Sequence, residues 1–279
     1  PPWPSNGSWN HAILGIRTET GLVLADPTTR YVPFGRLPSV DQGADVLICD
    51  TAHPEWTRTP REAPEQDALL QRIDADVLPD GSMRGTFRIE LAGNSGWSAR
   101  NSLLSAVPRK RKDQAKDLLD IDVDALVVES LDVANASQRD APLVLTGRFR
   151  GRSVVAFNGR TAVVSPTRLL GIGEGPSRPE PRTTPLVRPL CKVETSEVHL
   201  KLPVPVASVL TSGGREEGPL GHQSFQAAVQ DGTLVLRRES RFQPLAAPVT
   251  DVVATVVPYQ DRTSRLEKPV VVQLQEAMP

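Results

Sequence analysis

The sequence predicts a mainly β protein, in which an antiparallel β-sandwich with one or two short helices spans roughly residues 65–279. Short apolar segments alternate with turn sequences along this part of the chain, a pattern typical of all-β domains. Two segments, 96–107 and 110–119, have helical composition. Proline accounts for 26 of 279 residues while glycine, at 20, is ordinary, which favours strand ends and turns over disorder.

The first sixty residues predict a smaller, partial α+β region that begins with a β-hairpin. Residues 11–17 (HAILGIR) and 22–26 (LVLAD) are apolar segments on either side of a polar turn that contains Gly21. Residues 44–49 (ADVLIC) follow as a short buried strand. The segment 53–64 (HPEWTRTPREAP) contains three prolines, which is typical of a linker. We therefore expect two domains, residues 1–60 and residues 61–279.

In the second domain, turn sequences define hairpins. Pro79-Asp80-Gly81-Ser82 separates the apolar segments 68–78 and 83–91, Asn158-Gly159 separates 153–157 from 161–164, and Asp231-Gly232 follows 223–229. Further strands are predicted at 125–133, 142–150, 195–203, 205–210, 233–239, 251–258 and 269–274. The Pro/Gly-rich segment 171–186 predicts an exposed crossover between them.

Charge, hydropathy and cysteine content exclude several classes of function. With 32 basic and 33 acidic residues the net charge is −1, so the chain lacks the positive charge of nucleic-acid or anionic-membrane binding proteins. No apolar run approaches the roughly 18 residues of a membrane span. Two cysteines are too few for a disulfide scaffold or a four-cysteine metal site. Because His53, His199 and His222 lack ligand spacing, no zinc site is predicted from them.

His11 and Asp26 are the strongest pair of candidate catalytic residues. If the turn places Arg17 opposite Leu22, then Asp26 lies opposite Ile13 and shares one face of the hairpin with His11. An imidazole and a carboxylate in this arrangement can form a hydrogen bond that turns the other ring nitrogen toward a nucleophile. Such residues are also common as structural groups on strands and in turns, so the pair alone leaves both alternatives open.

The residues around this pair resemble the transglutaminase-like superfamily of cysteine peptidases and transferases. The likeness rests on Asn10-His11-Ala12-Ile13 and Asp26-Pro27-Thr28, and continues through Tyr31-Val-Pro-Phe-Gly35, Leu37-Pro38 and 41–48 (DQGADVLI). This stretch is similar to a bacterial subgroup in which a β-sandwich of unassigned function follows the transglutaminase-like domain. Looser similarities in the trailing part are Asp80-Gly81-Ser82, Arg188-Pro189, Leu202-Pro203 and Asp231-Gly232.

The resemblance implies that His11 is the catalytic histidine and Asp26 its orienting acid. It implies a Cys-His-Asp site that acts on protein or peptide amides without a metal or an organic cofactor, and a periplasmic or extracellular location. In this superfamily the cysteine precedes the histidine, at the start of a helix that lowers the thiol pKa. None of the ten residues before His11 is cysteine. We therefore expect the chain to be the C-terminal part of a longer protein, and to be inactive alone.

The two cysteines present are predicted to be structural. Cys49 ends an apolar strand and Cys191 precedes one, and free cysteine commonly behaves as a small buried hydrophobic residue. A Cys49–Cys191 disulfide is an alternative if the domains touch. The competing hypothesis for the whole chain is a non-enzymatic binding or assembly module of a bacterial exported protein, in which the β-sandwich recognises a partner and the hairpin is scaffold.

Overall fold

The computed structural model describes residues 11–152, 154–170, 186–188, 191–211, 213–248, 251–266 and 268–278. The chain divides into two compact units, Pro1–Glu62 (unit 1) and Ala63–Pro279 (unit 2). The predicted crossover at 171–186 lies outside the described residues up to position 185.

Unit 1 begins with the predicted hairpin. Strand β1 (Leu14–Thr18) pairs antiparallel with β2 (Gly21–Ala25), and Arg17 lies opposite Leu22 as predicted. Gly21 has a φ of 127°, a conformation that residues with a Cβ rarely adopt, which explains a glycine at the turn. Because the register is the expected one, the chain positions before β1 and after β2 meet at one end of the hairpin.

A second hairpin of unit 1 lies partly in the predicted linker. Strand β3 (Asp45–Ile48) pairs with β4 (Glu55–Arg58), with Leu47 opposite Trp56. The linker prediction is wrong for β4, because the prolines at 54 and 60 bound the strand and leave its own backbone free to pair. The prediction of a buried strand at 44–49 is wrong in burial, since Val46, Leu47 and Ile48 are only half-buried. A short 3₁₀ turn, Ser39–Asp41, precedes this hairpin.

The described residues of unit 2 form fourteen strands and three α-helices. The strands are β5 (Ala68–Val77), β6 (Ser82–Leu91), β7 (Val127–Ala134), β8 (Leu143–Arg152), β9 (Val155–Asn158), β10 (Thr161–Val164), β11 (Leu186–Arg188), β12 (Lys192–Lys201), β13 (Val206–Val209), β14 (Gly214–Gly218), β15 (Gly221–Gln230), β16 (Thr233–Phe242), β17 (Leu245–Ala247) and β18 (Val270–Leu274). The helices are α1 (Gly93–Ser105), α2 (Arg111–Leu119) and α3 (Val257–Leu266). None of the helices in the described ranges is long and apolar enough to cross a membrane.

Most strands belong to two sheets that share one core. The large sheet has the order β14-β15-β16-β12-β5-β6-β8-β7, the second has the order β13-β18-β10-β9, and β11 pairs with β17. Alternate residues of β5, among them Ile73, Ala75 and Val77, are buried, as expected for a strand with one face on a core. The same hydrophobic cluster includes Ala162 and Val272 of the second sheet. The prediction of a mainly β fold is confirmed.

The large sheet is mixed rather than purely antiparallel. Strand β12 runs parallel to β5, with Val198 beside Ile73, while every other described strand pair in this sheet is antiparallel. A parallel neighbour needs a long crossover connection instead of a tight turn. More than a hundred residues separate Val77 from Lys192 in the chain, so β12 is free to enter the sheet in either direction.

The strand predicted at 251–258 is wrong. This segment forms a π-helical stretch, Val252–Val256, that continues into α3. Its valines favour a strand by local propensity. Val256 and Tyr259 are nevertheless buried together against Leu220, and their spacing of three places them on one helical face. Tertiary packing therefore decides the conformation of this segment.

Replacing Gly159 with alanine is expected to destabilise unit 2 by about 1–2 kcal/mol, the cost of a left-handed backbone for a residue with a Cβ. Gly159 has a φ of 59° in the turn between β9 and β10, and a Cβ there would meet no atom within 4 Å. The cost is thus backbone strain and not a clash. Urea denaturation followed by circular dichroism measures it. Gly159→Asn is the matched control, since asparagine tolerates this conformation better, and equal midpoints for the two variants would contradict the explanation.

Candidate active site

The structure brings His11 and Asp26 together at one end of the β1–β2 hairpin. His11 lies three residues before β1 and Asp26 directly after β2. Nε2 of His11 is 3.4 Å from Oδ2 of Asp26. This is an ion-pair distance at the long end of hydrogen bonding, and catalytic hydrogen bonds are often this long before substrate binds. The predicted pair is therefore adjacent in space, and its catalytic role stays a prediction.

The carboxylate of Asp26 is held by the residues that follow it. Oδ1 accepts hydrogen bonds from the backbone N–H of Thr28 at 2.9 Å and from its hydroxyl at 2.7 Å. The hydroxyl of Thr29 donates to the Asp26 carbonyl at 2.9 Å. Pro27 has no N–H to compete for these acceptors. With Oδ1 occupied and the side chain 2% exposed, Oδ2 is the oxygen left for His11.

A third residue, Asp41, completes the cluster and was not predicted. Its Oδ2 lies 3.8 Å from Nε2 of His11. Asp41 ends the 3₁₀ turn, where its backbone N–H donates to the Pro38 carbonyl at 2.9 Å. The hydroxyl of Thr59, just after β4, donates to the Asp41 carbonyl at 2.5 Å. Through Thr59, the second hairpin of unit 1 thus helps to position Asp41 beside His11.

The two carboxylates differ in their electrostatic state. Burial raises the pKa of Asp26, but hydrogen bonds from Thr28 and from His11 outweigh burial and leave the pKa below its ordinary value. Asp41 has the opposite shift. Burial is the largest cause and the nearby charge of Asp26 adds to it, so the pKa of Asp41 is raised although His11 opposes the change. The ionised form of Asp26 is therefore favoured in this cluster, whereas ionisation of Asp41 is disfavoured.

His11 lies at the edge of an open cleft. Its side chain is 37% exposed, and Nδ1 makes no hydrogen bond with the described part of the chain. The cleft has a volume of about 1280 Å³ and is lined by residues of both hairpins and of the 3₁₀ turn, among them Leu14, Trp56 and Val40. These three side chains are exposed, at 51%, 54% and 78%. His11 thus lines a cleft with apolar walls, and its Nδ1 is not hydrogen-bonded within the described ranges.

The two cysteines do not form a disulfide. Neither sulfur is in a disulfide bond, and Cys49 is exposed while Cys191 is half-buried. The prediction of a buried, core-like Cys49 is wrong, because the end of β3 faces the cleft and not a core. Its Sγ lies 3.8 Å from the Leu47 carbonyl oxygen.

The other histidines lie away from this cluster in the described structure. His53 is exposed in the loop before β4, and His222 is half-buried in β15. His199 belongs to a surface ion network of unit 2, where its Nε2 is 2.6 Å from Glu197 and its Nδ1 is 3.8 Å from Asp74. Among the described residues, the group with metal-ligand atoms within 4.8 Å of one another is His11, Asp26 and Asp41.

Sequence reasoning missed Asp41 for an identifiable reason. The hairpin register relates His11 to Asp26, whereas residues 27–44 carry no periodic pattern from which the position of Asp41 follows. The one signal is its place in Asp41-Gln42-Gly43, a turn sequence in which Gly43 has a φ of 66°.

Comparison of the chain with models of protein families, with curated proteins and with solved structures finds no match in any of the three.

Proposed function

We propose that unit 1 supplies the histidine and aspartate of a Cys-His-Asp site that transfers the acyl group of an amide, as in transglutaminase-like cysteine peptidases and transferases. The observation that supports this most directly is the 3.4 Å approach of Nε2 of His11 to Oδ2 of Asp26. The two residues belong to the stretch, residues 9–48, that carries the resemblance. The thiol comes from a segment outside residues 1–279, and this chain alone is inactive.

In this proposal Asp26 sets the tautomer of His11. Oδ2 accepts the Nε2–H of the imidazole, which leaves the lone pair on Nδ1. Nδ1 makes no hydrogen bond with the described residues, and His11 lines the cleft. Thr28 contributes by holding the other carboxylate oxygen, so that Asp26 cannot rotate away from the ring. Nδ1 is then the atom that takes the proton of the nucleophile.

The reaction follows from these roles. Nδ1 removes the thiol proton and the thiolate attacks the amide carbonyl carbon, forming a carbon–sulfur bond. The imidazolium returns the proton to the amide nitrogen as the carbon–nitrogen bond breaks, which releases an amine and leaves a thioester. Water or a second amine then gives its proton to Nδ1 and displaces the sulfur. The chain's own residues need no cofactor for these steps.

The cleft favours a protein or peptide amide as substrate. Its walls combine exposed apolar side chains, Leu14, Val40 and Trp56, with the polar cluster at one end. An extended peptide can bury apolar side chains against such walls while its carbonyl lies near the imidazole. A small hydrophilic amide would gain little from these contacts.

The test measures the reactivity of the upstream thiol in the longer protein. The coding sequence ahead of Pro1 is expected to contain a cysteine at the start of a helix. In a Cys49→Ser, Cys191→Ser background, that cysteine should react with iodoacetamide near pH 7 at least about tenfold faster in the parent than in His11→Ala, because a free thiol has a pKa of about 8.5 and a paired thiol a lower one.

His53→Ala is the matched control, since His53 is an exposed histidine of the same unit that lies outside the cluster. It should leave the alkylation rate unchanged. Equal rates in the parent and in His11→Ala, or an upstream sequence without cysteine, would reject the proposed function. Asp26→Asn should give an intermediate rate, because it keeps an oxygen acceptor but removes the charge that stabilises the imidazolium.

A further inference from the structure

The three clustered side chains of unit 1 come from three separate segments and converge on one point. His11 precedes β1, Asp26 follows β2 and Asp41 ends the 3₁₀ turn. Nε2 of His11 lies 3.4 Å from Oδ2 of Asp26 and 3.8 Å from Oδ2 of Asp41, and all three atoms lie within 4.8 Å of one another. The proposed acyl transfer uses the contact with Asp26 and assigns no role to Asp41.

One carboxylate oxygen of Asp41 is buried beside the carboxylate of Asp26 and receives no hydrogen bond from a neutral or cationic donor of the described residues. This oxygen, Oδ2, is inaccessible to solvent, and Asp41 as a whole is 9% exposed. A buried carboxylate oxygen without a donor is costly, so such an oxygen is normally paired with a donor or a cation. The same ring nitrogen of His11 that faces Asp26 lies 3.8 Å from this oxygen.

We propose that His11, Asp26 and Asp41 form a binding site for a divalent transition metal, Zn²⁺, open to the cleft. One imidazole nitrogen and two carboxylate oxygens are ligands that zinc takes in sites with three protein ligands and a fourth, open position. With bonds of about 2.1 Å in a tetrahedron, ligand atoms lie about 3.4 Å apart. The separation from Nε2 to Asp26, 3.4 Å, equals this value, and the separation to Asp41, 3.8 Å, is 0.4 Å longer.

The surroundings of the cluster fit a metal site in a second respect. Ligating carboxylates in metalloproteins are themselves held by hydrogen bonds to their other oxygen. Thr28 does this for Asp26 through its N–H and its hydroxyl, and both bonds go to Oδ1 while Oδ2 faces the cluster. The imidazole, at 37% exposure, leaves an entry path and a position for water on the cleft side. Zinc is preferred over Mg²⁺ or Ca²⁺ because a nitrogen ligand is present.

This inference goes beyond the proposed function and does not depend on it. A Zn²⁺ ion on Nε2 takes the lone pair at the atom whose N–H would otherwise bind Asp26. The metal-bound site and the histidine–aspartate pair are consequently alternative states of the same residues, and Zn²⁺ would oppose acyl transfer.

The experiment titrates the metal-stripped chain with Zn²⁺ by isothermal calorimetry, in a Cys49→Ser, Cys191→Ser background that removes thiol ligands. We expect one equivalent of Zn²⁺ to bind. His11→Ala and Asp41→Asn should each weaken binding by more than about 100-fold, because loss of a residue that only supports a ligand already costs up to about 100-fold in metal affinity. His53→Ala and Asp45→Asn should bind as the parent does; Asp45 lines the cleft but pairs with Arg58. Visible absorption of Co²⁺ reports the same site spectroscopically.

Equal zinc affinity in the parent, His11→Ala and Asp41→Asn would overturn the site, as would the absence of binding to the parent. Because His11 is exposed, His11→Ala is the variant least able to disturb folding, and its loss of binding stands even if Asp41→Asn is unstable. The titration contains no thiol nucleophile, so its failure leaves the proposed acyl transfer standing. Failure of the alkylation test likewise leaves the metal site standing.

Discussion

Arg100→Ala is expected to lower the free energy of unfolding of unit 2 by about 3 kcal/mol or more, because the Ala141 carbonyl loses its donor, at about 1–3 kcal/mol, and a large buried side chain is also lost. Arg100 lies in α1 and is 1% exposed. Its Nη2 lies within hydrogen-bonding distance of the carbonyl oxygens of Asn135 (3.1 Å), Gln138 (2.8 Å) and Ala141 (2.6 Å). Burial lowers the pKa of the guanidinium, which nevertheless stays charged because arginine is among the strongest bases in proteins.

The hydrogen bonds of Arg100 form a tether that links α1 to the segment between β7 and β8. Residues 135–141 form consecutive turns, and Trp97 of the same helix also donates to this segment, from Nε1 to the Arg139 carbonyl at 3.3 Å. Without the guanidinium the three carbonyls lose their common donor. Amide hydrogen exchange should therefore increase first in residues 135–141.

Arg100→Met separates the charge from the packing. It keeps much of the apolar stem but no donor, so it should recover part of the stability that Arg100→Ala loses and none of the exchange protection in 135–141. Arg109→Ala, at an exposed position, is the control for loss of a positive charge. If hydrogen exchange measured by mass spectrometry were the same in the parent and in Arg100→Met, the tether would not be the source of stability.

Asp26→Ala should destabilise unit 1 by about 2 kcal/mol or more, because it leaves both the N–H and the hydroxyl of Thr28 without their acceptor. The carboxylate is buried, so water replaces it poorly. Hydrogen exchange of the peptide that spans β2 and Thr28 measures the effect. Thr28→Val is the partial counterpart: it removes the hydroxyl and keeps the N–H, and should cost about 1 kcal/mol. Equal protection in Asp26→Ala and the parent would contradict this.

The same carboxylate predicts an acid-sensitive component of stability. Its pKa in the folded chain is below the ordinary value of 3.8. The folded state thus favours the ionised form, so the contribution of Asp26 is fully present above that value and is lost as the pH falls below it, through the lower folded pKa. Asp41 titrates in the opposite sense, since its pKa is raised: its ionisation disfavours the folded state as the pH rises above 3.8.

The two effects are separable by mutation. In the Asp41→Asn background with EDTA present, hydrogen-exchange protection of unit 1 should fall only on the acid side of the ordinary aspartate value. In the parent, protection should also decrease as the pH rises from that value through the raised pKa of Asp41. If the pH profiles of protection were superimposable in the parent and in Asp41→Asn, the pKa of Asp41 would be the same in the folded and the unfolded chain, which would contradict this prediction.

Much of the local structure of this protein follows from its sequence. The turn at Gly21 fixes which residues of β1 and β2 face each other, and the predicted register of Arg17 with Leu22 is the observed one. The hairpins around Gly81 and Gly159 follow from turns that require their glycines, which have φ values of 76° and 59°. Such features depend on neighbours within about ten residues in the chain, so pattern and turn chemistry determine them.

Long-range packing determines the parts of the fold that local sequence patterns do not. The valines of 252–256 are strand-formers that become helical because Val256 and Tyr259 are buried with Leu220, more than thirty residues earlier in the chain. The parallel pairing of β12 with β5 likewise depends on a partner more than a hundred residues away. Neither contact leaves a periodic trace in the local sequence.

The candidate site combines one contact that follows from local sequence with one that depends on tertiary packing. The sequence alone determined the adjacency of His11 and Asp26, because one hairpin register relates them. Only the tertiary structure decided that Asp41 lies 3.8 Å from the same imidazole, since an irregular turn and a hydrogen bond from Thr59 place it there. Burial in that position, which no local pattern encodes, deprives Asp41 of water and gives the cluster its second, unsatisfied carboxylate.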